Sequence, residues 1–78
     1  MVEMKSVKSS NIEAVGFDET LQELYVRFKG GNLYVYYEVP DLDYVNFMAA
    51  DSPGGWLNAN IKGKYKYRKI EDVPRENP

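Results

Sequence analysis

Five of the chain's ten basic residues fall within eight positions: Lys62, Lys64, Lys66, Arg68 and Lys69. Tyr65 and Tyr67 are interleaved with them, and no acid occurs between Asp51 and Glu71. Cations alternating with aromatic rings can neutralise phosphates while the rings stack on bases, which makes this segment a candidate RNA contact. As a strand, it places Lys64, Lys66 and Arg68 on one face and Tyr65 and Tyr67 on the other. The same pattern also describes an edge strand guarded by lysines against aggregation, with its tyrosines in the core.

Two further groups carry chemistry. Ser52, Gly54 and Asn58 surround the expected start of a helix, whose free N–H groups can hold an anion such as phosphate. Lys62 lies four residues beyond Asn58, on the same helix face. The alternative is a capping serine at an ordinary helix end. Tyr25, Tyr34, Tyr36 and Tyr37, with Arg27 nearby, offer either a base-stacking platform or simple cross-strand packing.

Much other chemistry is excluded by what the chain lacks. It has no Cys and no His, hence no disulfide, no thiolate nucleophile and no zinc–thiolate site, and it is without the commonest general base near neutral pH. Asp41 and Asp43 are two apart and do not face one another on a helix. With no Gly-rich phosphate loop and no metal-ligand spacing, the expectation is a non-enzymatic protein with no cofactor and no identifiable small-molecule substrate. A formal net charge of −2 gives no global attraction to nucleic acid or anionic lipid. Met1-Val2-Glu3-Met4-Lys5 lacks the apolar run of a signal peptide, and no apolar stretch is long enough to cross a bilayer. A soluble cytoplasmic protein with no membrane partner is expected.

These groups must be positioned by a small fold. Seventy-eight residues make one domain, which buries only about 60% of the surface its unfolded chain exposes. Val15 and Phe17 alternate in a first strand, with Ile12 out of phase, as a bulge or a late strand start would make it. Leu24, Val26 and Phe28 alternate in a second strand, followed by Gly30-Gly31-Asn32 and a third strand, Leu33 to Val39. A two-residue loop pairs Val26 with Val35, whereas a three-residue loop with a bulge pairs Val26 with Tyr34 and Leu24 with Tyr36; periodicity alone does not choose. After Pro40, Leu42, Val45, Met48 and Ala49 form a helical stripe with Tyr44 and Phe47 at its edges, and this helix stops near Asp51. Ser52 caps a short second helix from Pro53 to Lys62, ended by Gly63. Tyr65 to Ile70 alternates as a fourth strand, and Glu71 to Pro78 reads as a loose tail.

In sum, Ser9-Ser10-x-Ile12, Val15-Gly16-Phe17-Asp18, Leu24-x-Val26-x-Phe28, Gly31, Tyr34-x-Tyr36, Val39-Pro40, Ala50-x-Ser52-x-Gly54, Asn58-x-x-Ile61-Lys62 and Tyr65 resemble the KTSC domain family, named after the C-terminus of some lysyl-tRNA synthetases. Phe17 and Trp56 stand where the family usually has Tyr, and Lys62 where Arg is common. The last change loses a bidentate fork for phosphate. The resemblance implies an RNA-binding role only by analogy with the fused enzyme. It also implies that Tyr34 and Tyr36 face inward and Val35 outward, which selects the three-residue loop and removes the Tyr pair from the candidate RNA surface.

The expectation is therefore an α+β domain over residues 9–70, preceded by a segment 1–8 and followed by the tail 71–78. Its three-stranded antiparallel meander is packed by one amphipathic helix and a short second one, with a fourth C-terminal strand. Its core is Val15, Phe17, Leu24, Val26, Phe28, Tyr34, Tyr36, Leu42, Val45, Met48, Leu57 and Ile61. Two functions compete: RNA binding through the basic segment, and self-association or protein interaction through a sheet edge or an open sheet face of Leu33, Val35 and Tyr37.

Overall fold

The two-residue periods of the sequence become one antiparallel sheet in the computed structural model, which describes residues 2–70. Its strands are β1 (Lys5–Ser6), β2 (Ile12–Asp18), β3 (Glu23–Phe28), β4 (Leu33–Tyr36) and β5 (Tyr67–Ile70), in the order β1-β2-β3-β4-β5. Helices α1 (Asp41–Ala49) and α2 (Pro53–Asn60) lie between β4 and β5 in the chain. The meander thus gains a strand at each edge. The fourth C-terminal strand begins at Tyr67, two residues later than expected, and α2 ends two residues earlier than expected. Segment 1–8 joins the sheet through β1, where Lys5 pairs with Val15. The expected tail, 71–78, lies outside the described residues.

The hairpin takes the three-residue loop. Leu24 pairs with Tyr36 and Val26 with Tyr34. The Phe28 N–H donates to the Asn32 carbonyl and the Gly31 N–H to the Phe28 carbonyl, both at 2.9 Å. Gly30 and Gly31 both sit at φ +103°, where a side chain is strained. In β2 the register shifts between Ile12 and Ala14; this bulge carries the out-of-phase Ile12 into the core, where it is fully buried.

The core comprises Ile12, Val15, Leu24, Val26, Tyr36, Val39, Phe47, Leu57 and Ile61. Phe17, Phe28 and Tyr34 pack against it but are only half-buried. The stripe expected on α1 is corrected: Leu42, Val45 and Met48 are 67%, 56% and 37% exposed. Phe47 is instead fully buried, and Tyr44 stacks on Phe17 with ring centroids 4.6 Å apart and planes at 7°. At ~100° per residue this turns the helix by roughly half a revolution from the aliphatic stripe. The rings prevail because an aromatic side chain buries far more area than Val or Leu and gains a stacking partner as well.

Val35 has the expected outward direction but not the expected exposure. It points away from the helices, beside its register partners Tyr25 and Arg68, yet is only 2% exposed. Leu33 and Tyr37 are half-buried, so Leu33, Val35 and Tyr37 do not form the open apolar face expected of them. On the same side the N-terminal arm crosses Gly16: a Cβ there would meet Val2 and lie 2.9 Å from both the Glu3 carbonyl and Met4 Sδ. Among the described residues no helix is long and apolar enough to cross a membrane.

Candidate nucleic-acid interface

The five cations of the basic segment do not share one surface. Lys62 and Lys64 lie in the turn after α2, where the N–H groups of Ile61 and Lys62 both donate to the Leu57 carbonyl at 2.9 Å and Gly63, at φ +81°, redirects the chain. Lys66 precedes β5, and its carbonyl accepts the Tyr37 N–H at 2.9 Å. Arg68 pairs with Val35 and Lys69 with Tyr34, so these two neighbours occupy opposite faces of the sheet. All five are exposed. Of Lys64, Lys66 and Arg68 only Arg68 lies within the strand, which starts at Tyr67, so strand alternation does not align the three. Nor do Tyr65 and Tyr67 act as a pair. The Tyr65 hydroxyl donates to the Asp43 carboxylate, tying the start of this segment to α1.

Their electrostatic surroundings differ too. Lys64 and Lys66 line a cleft together with Glu23 and Glu38, whose carboxylates offset them. Lys62 instead lines an open groove of about 540 Å³ with Phe28, Asn32, Tyr34, Tyr36, Gly63 and Tyr67, and none of these is an acid. Its Nζ stands 4.9 Å from the centroid of the Phe28 ring, a cation–π distance. The rings are mutually fixed: Phe28 and Tyr34 meet edge to face at 5.6 Å, and Tyr67 leans on Tyr34 at 5.8 Å and on Tyr36 at 5.9 Å. Tyr67 is nonetheless 59% exposed.

The sequence places both tyrosines of the Tyr34-x-Tyr36 pair away from the candidate surface. Tyr36 is indeed buried, yet both tyrosines line the groove from the helix side of the sheet. Phe28 and Asn32 are groove-lining residues that sequence reasoning misses, and Tyr34 is one that it sets aside. The available signal is the bulged hairpin, which brings the end of β3, the loop and the start of β4 to the same corner.

Burial, then the neighbouring Tyr34 and Tyr67 hydroxyls, push the Tyr36 phenol up to about 12. Burial, then the hydrogen bond to Asp43, push Tyr65 up to about 12. Tyr25 also rises to about 12, chiefly because it donates to Glu23 at 2.8 Å and secondarily through burial. At neutral pH all three rings stay uncharged.

Ser52, Gly54 and Asn58 do converge, in a polar cleft of about 320 Å³ shared with Lys8, Ser9, Asn11 and Asp51. The Ser52 Oγ already accepts the Gly55 N–H at 3.3 Å, which is ordinary N-capping. A Cβ at Gly54 would come within 2.6 Å of Asn11 Oδ1, so this glycine admits the loop before β2. Ser9 holds that loop, its Oγ accepting the N–H groups of Asn11 and Ile12 at 3.2 and 3.1 Å. Capping thus accounts for Ser52 and packing for Gly54, while Asn58 is exposed; Asp51 makes the cleft less hospitable to an anion. Among the described residues no group of three or more acids is placed to hold a metal ion.

Comparison with known proteins agrees with this architecture. The KTSC domain matches residues 8–65. A protein of Tsukamurella paurometabola is 43% identical over 63 residues, covering 81% of this chain and 94% of that protein. A lysine–tRNA ligase of Nostoc is 32% identical over 63 residues, again 81% of this chain but only 11% of the ligase. The crystal structure of a KTSC domain protein from Yersinia pestis superposes with a TM-score of 0.85 at 36% identity, covering 91% of this chain and all of the other.

Proposed function

The chain belongs to the KTSC domain family, and on that footing we propose that it is a non-catalytic RNA-binding accessory module. One observation carries the reading: a cation, Lys62, stands at the rim of an aromatic groove that contains no acid, with Lys69 on the same sheet face. The occurrence of a similar domain within lysine–tRNA ligases supports RNA as the partner class. The ligases' own catalytic activity is not part of the proposal, since the domain spans 11% of their length.

The test is fluorescence anisotropy with labelled tRNA at about 50 and 200 mM salt. Binding at low salt is expected to weaken as salt rises. Replacing Lys62, Lys64, Lys66, Arg68 and Lys69 together by Ala should weaken it at least tenfold. The same variant should flatten the salt slope by about one for each phosphate that is no longer neutralised. No binding at low salt, or affinity unchanged in the variant, overturns the reading.

A second reading, self-association, rests on a different surface from the one the sequence suggests. Leu42, Val45 and Met48 expose an apolar stripe along α1, and such a stripe can be buried against a second copy. Light scattering over a concentration series tests it; a monomer at every concentration removes it.

A further inference from the structure

We infer that the groove between the hairpin loop and β5 takes the base of an unpaired nucleotide in single-stranded RNA, with Tyr67 as its stacking platform and Lys62 and Lys69 on the flanking phosphates. This rests on the RNA-binding reading above and names the form of RNA that the site accepts.

Three observations support it. The first is the distribution of charge. A duplex is bound through its phosphates, presented in rows along a broad surface, and needs cations arrayed to match. Here Lys62 lines the groove and Lys69 lies on the same sheet face opposite Tyr34, Lys64 and Lys66 share a cleft with Glu23 and Glu38, and Arg68 lies on the opposite face of the sheet. Such a split suits one or two phosphates beside a single pocket.

The second is the form of the groove. Its volume, about 540 Å³, falls within the roughly 300–1,000 Å³ typical of ligand sites. Its walls are rings, and every base has a π-face that stacks on an aromatic side chain whatever the sequence. The bases of a duplex have both faces covered by their neighbours and cannot enter.

The third is preorganisation. Tyr67 rests against Tyr34 and Tyr36 while 59% of it stays exposed, so a ring surface is available at little cost in side-chain freedom. Lys62 already covers Phe28, which leaves Tyr67 as the open platform. The Asn32 amide at the rim has both donors and an acceptor for a base edge.

The experiment compares single-stranded oligouridine with a blunt RNA duplex of about 16 base pairs and equal length, at low salt, with the wild type and with Tyr67→Ala, Tyr67→Phe and Lys62→Ala/Lys69→Ala. The single strand should bind at least tenfold more tightly than the duplex. Tyr67→Ala should cost roughly 5- to 150-fold, the worth of one base–aromatic stack, while Tyr67→Phe, which keeps the π-face, stays within about twofold. NMR signals of the Tyr67 and Tyr34 rings should shift on titration with oligouridine. Equal affinity for strand and duplex, or Tyr67→Ala without effect while replacement of the five cations abolishes binding, overturns the unpaired-base assignment and leaves RNA binding standing. If neither RNA binds, both fall.

Discussion

The helix-facing side of the sheet has two halves with opposite fates. Across β2 and β3, Val15, Leu24 and Val26 are fully buried in a core that α1 and α2 close with Phe47, Leu57 and Ile61. Across β4 and β5, beyond the buried Tyr36, the same side runs out into Tyr34, Tyr67 and Lys69, and the cover stops. Two short helices cannot span five strands, and they settle over the aliphatic half. What remains is an aromatic surface held in place by the core beside it. One half stores stability, and the other is free to bind.

The largest effect that would test this division is in the covered half. Phe47→Ala should destabilise the fold by about 3–5 kcal/mol, measured by urea unfolding; a loss under about 1 kcal/mol would mean that α1 is not the lid. High pH probes the seam between the halves. The Tyr36 phenol, raised from 10.0 to about 12, must ionise at lower pH in the unfolded chain than in the folded one. Its contribution to stability is therefore complete below pH 10 and is lost as pH rises towards 12. Unfolding midpoints that stay flat through that window would contradict its burial. Ser52→Ala should cost about 1 kcal/mol through loss of the α2 cap. In the open half, Tyr67→Ala should cost no more than about 1.5 kcal/mol through its ring contacts, well below Phe47→Ala, while reducing RNA affinity on the proposed reading. A large stability loss there would erase the distinction.

Legibility follows the same division. Gly30-Gly31 marks the hairpin but permits two registers, and the resemblance to the family's Tyr-x-Tyr pattern selects the right one; Ser52-Pro53 gives the start of α2 because a cap is local chemistry written in a few neighbouring residues. The seating of α1 is not legible. Leu42, Tyr44, Val45, Phe47 and Met48 are apolar around most of the helix, so periodicity does not say which stripe meets the sheet; the stacking of Tyr44 on Phe17 decides it, and Phe17 is far away in sequence. Strand β1 escapes because two residues carry no alternation. Its signature lies instead at Gly16, where a glycine inside a strand marks a close backbone approach. The groove is the hardest to foresee. Lys62 and Lys69 are near in sequence, but Phe28 and Asn32 join them only through the fold, and the groove exists only because no helix lies over it.

The order of the strands has a practical consequence. The N-terminal arm runs along one border of the sheet and Tyr67 along the other. With neighbouring strands about 4.8 Å apart, four spacings put these borders roughly 2 nm from one another. A fluorophore or bead attached at Lys5 would therefore stand on the far side of the sheet from Tyr67, clear of the groove.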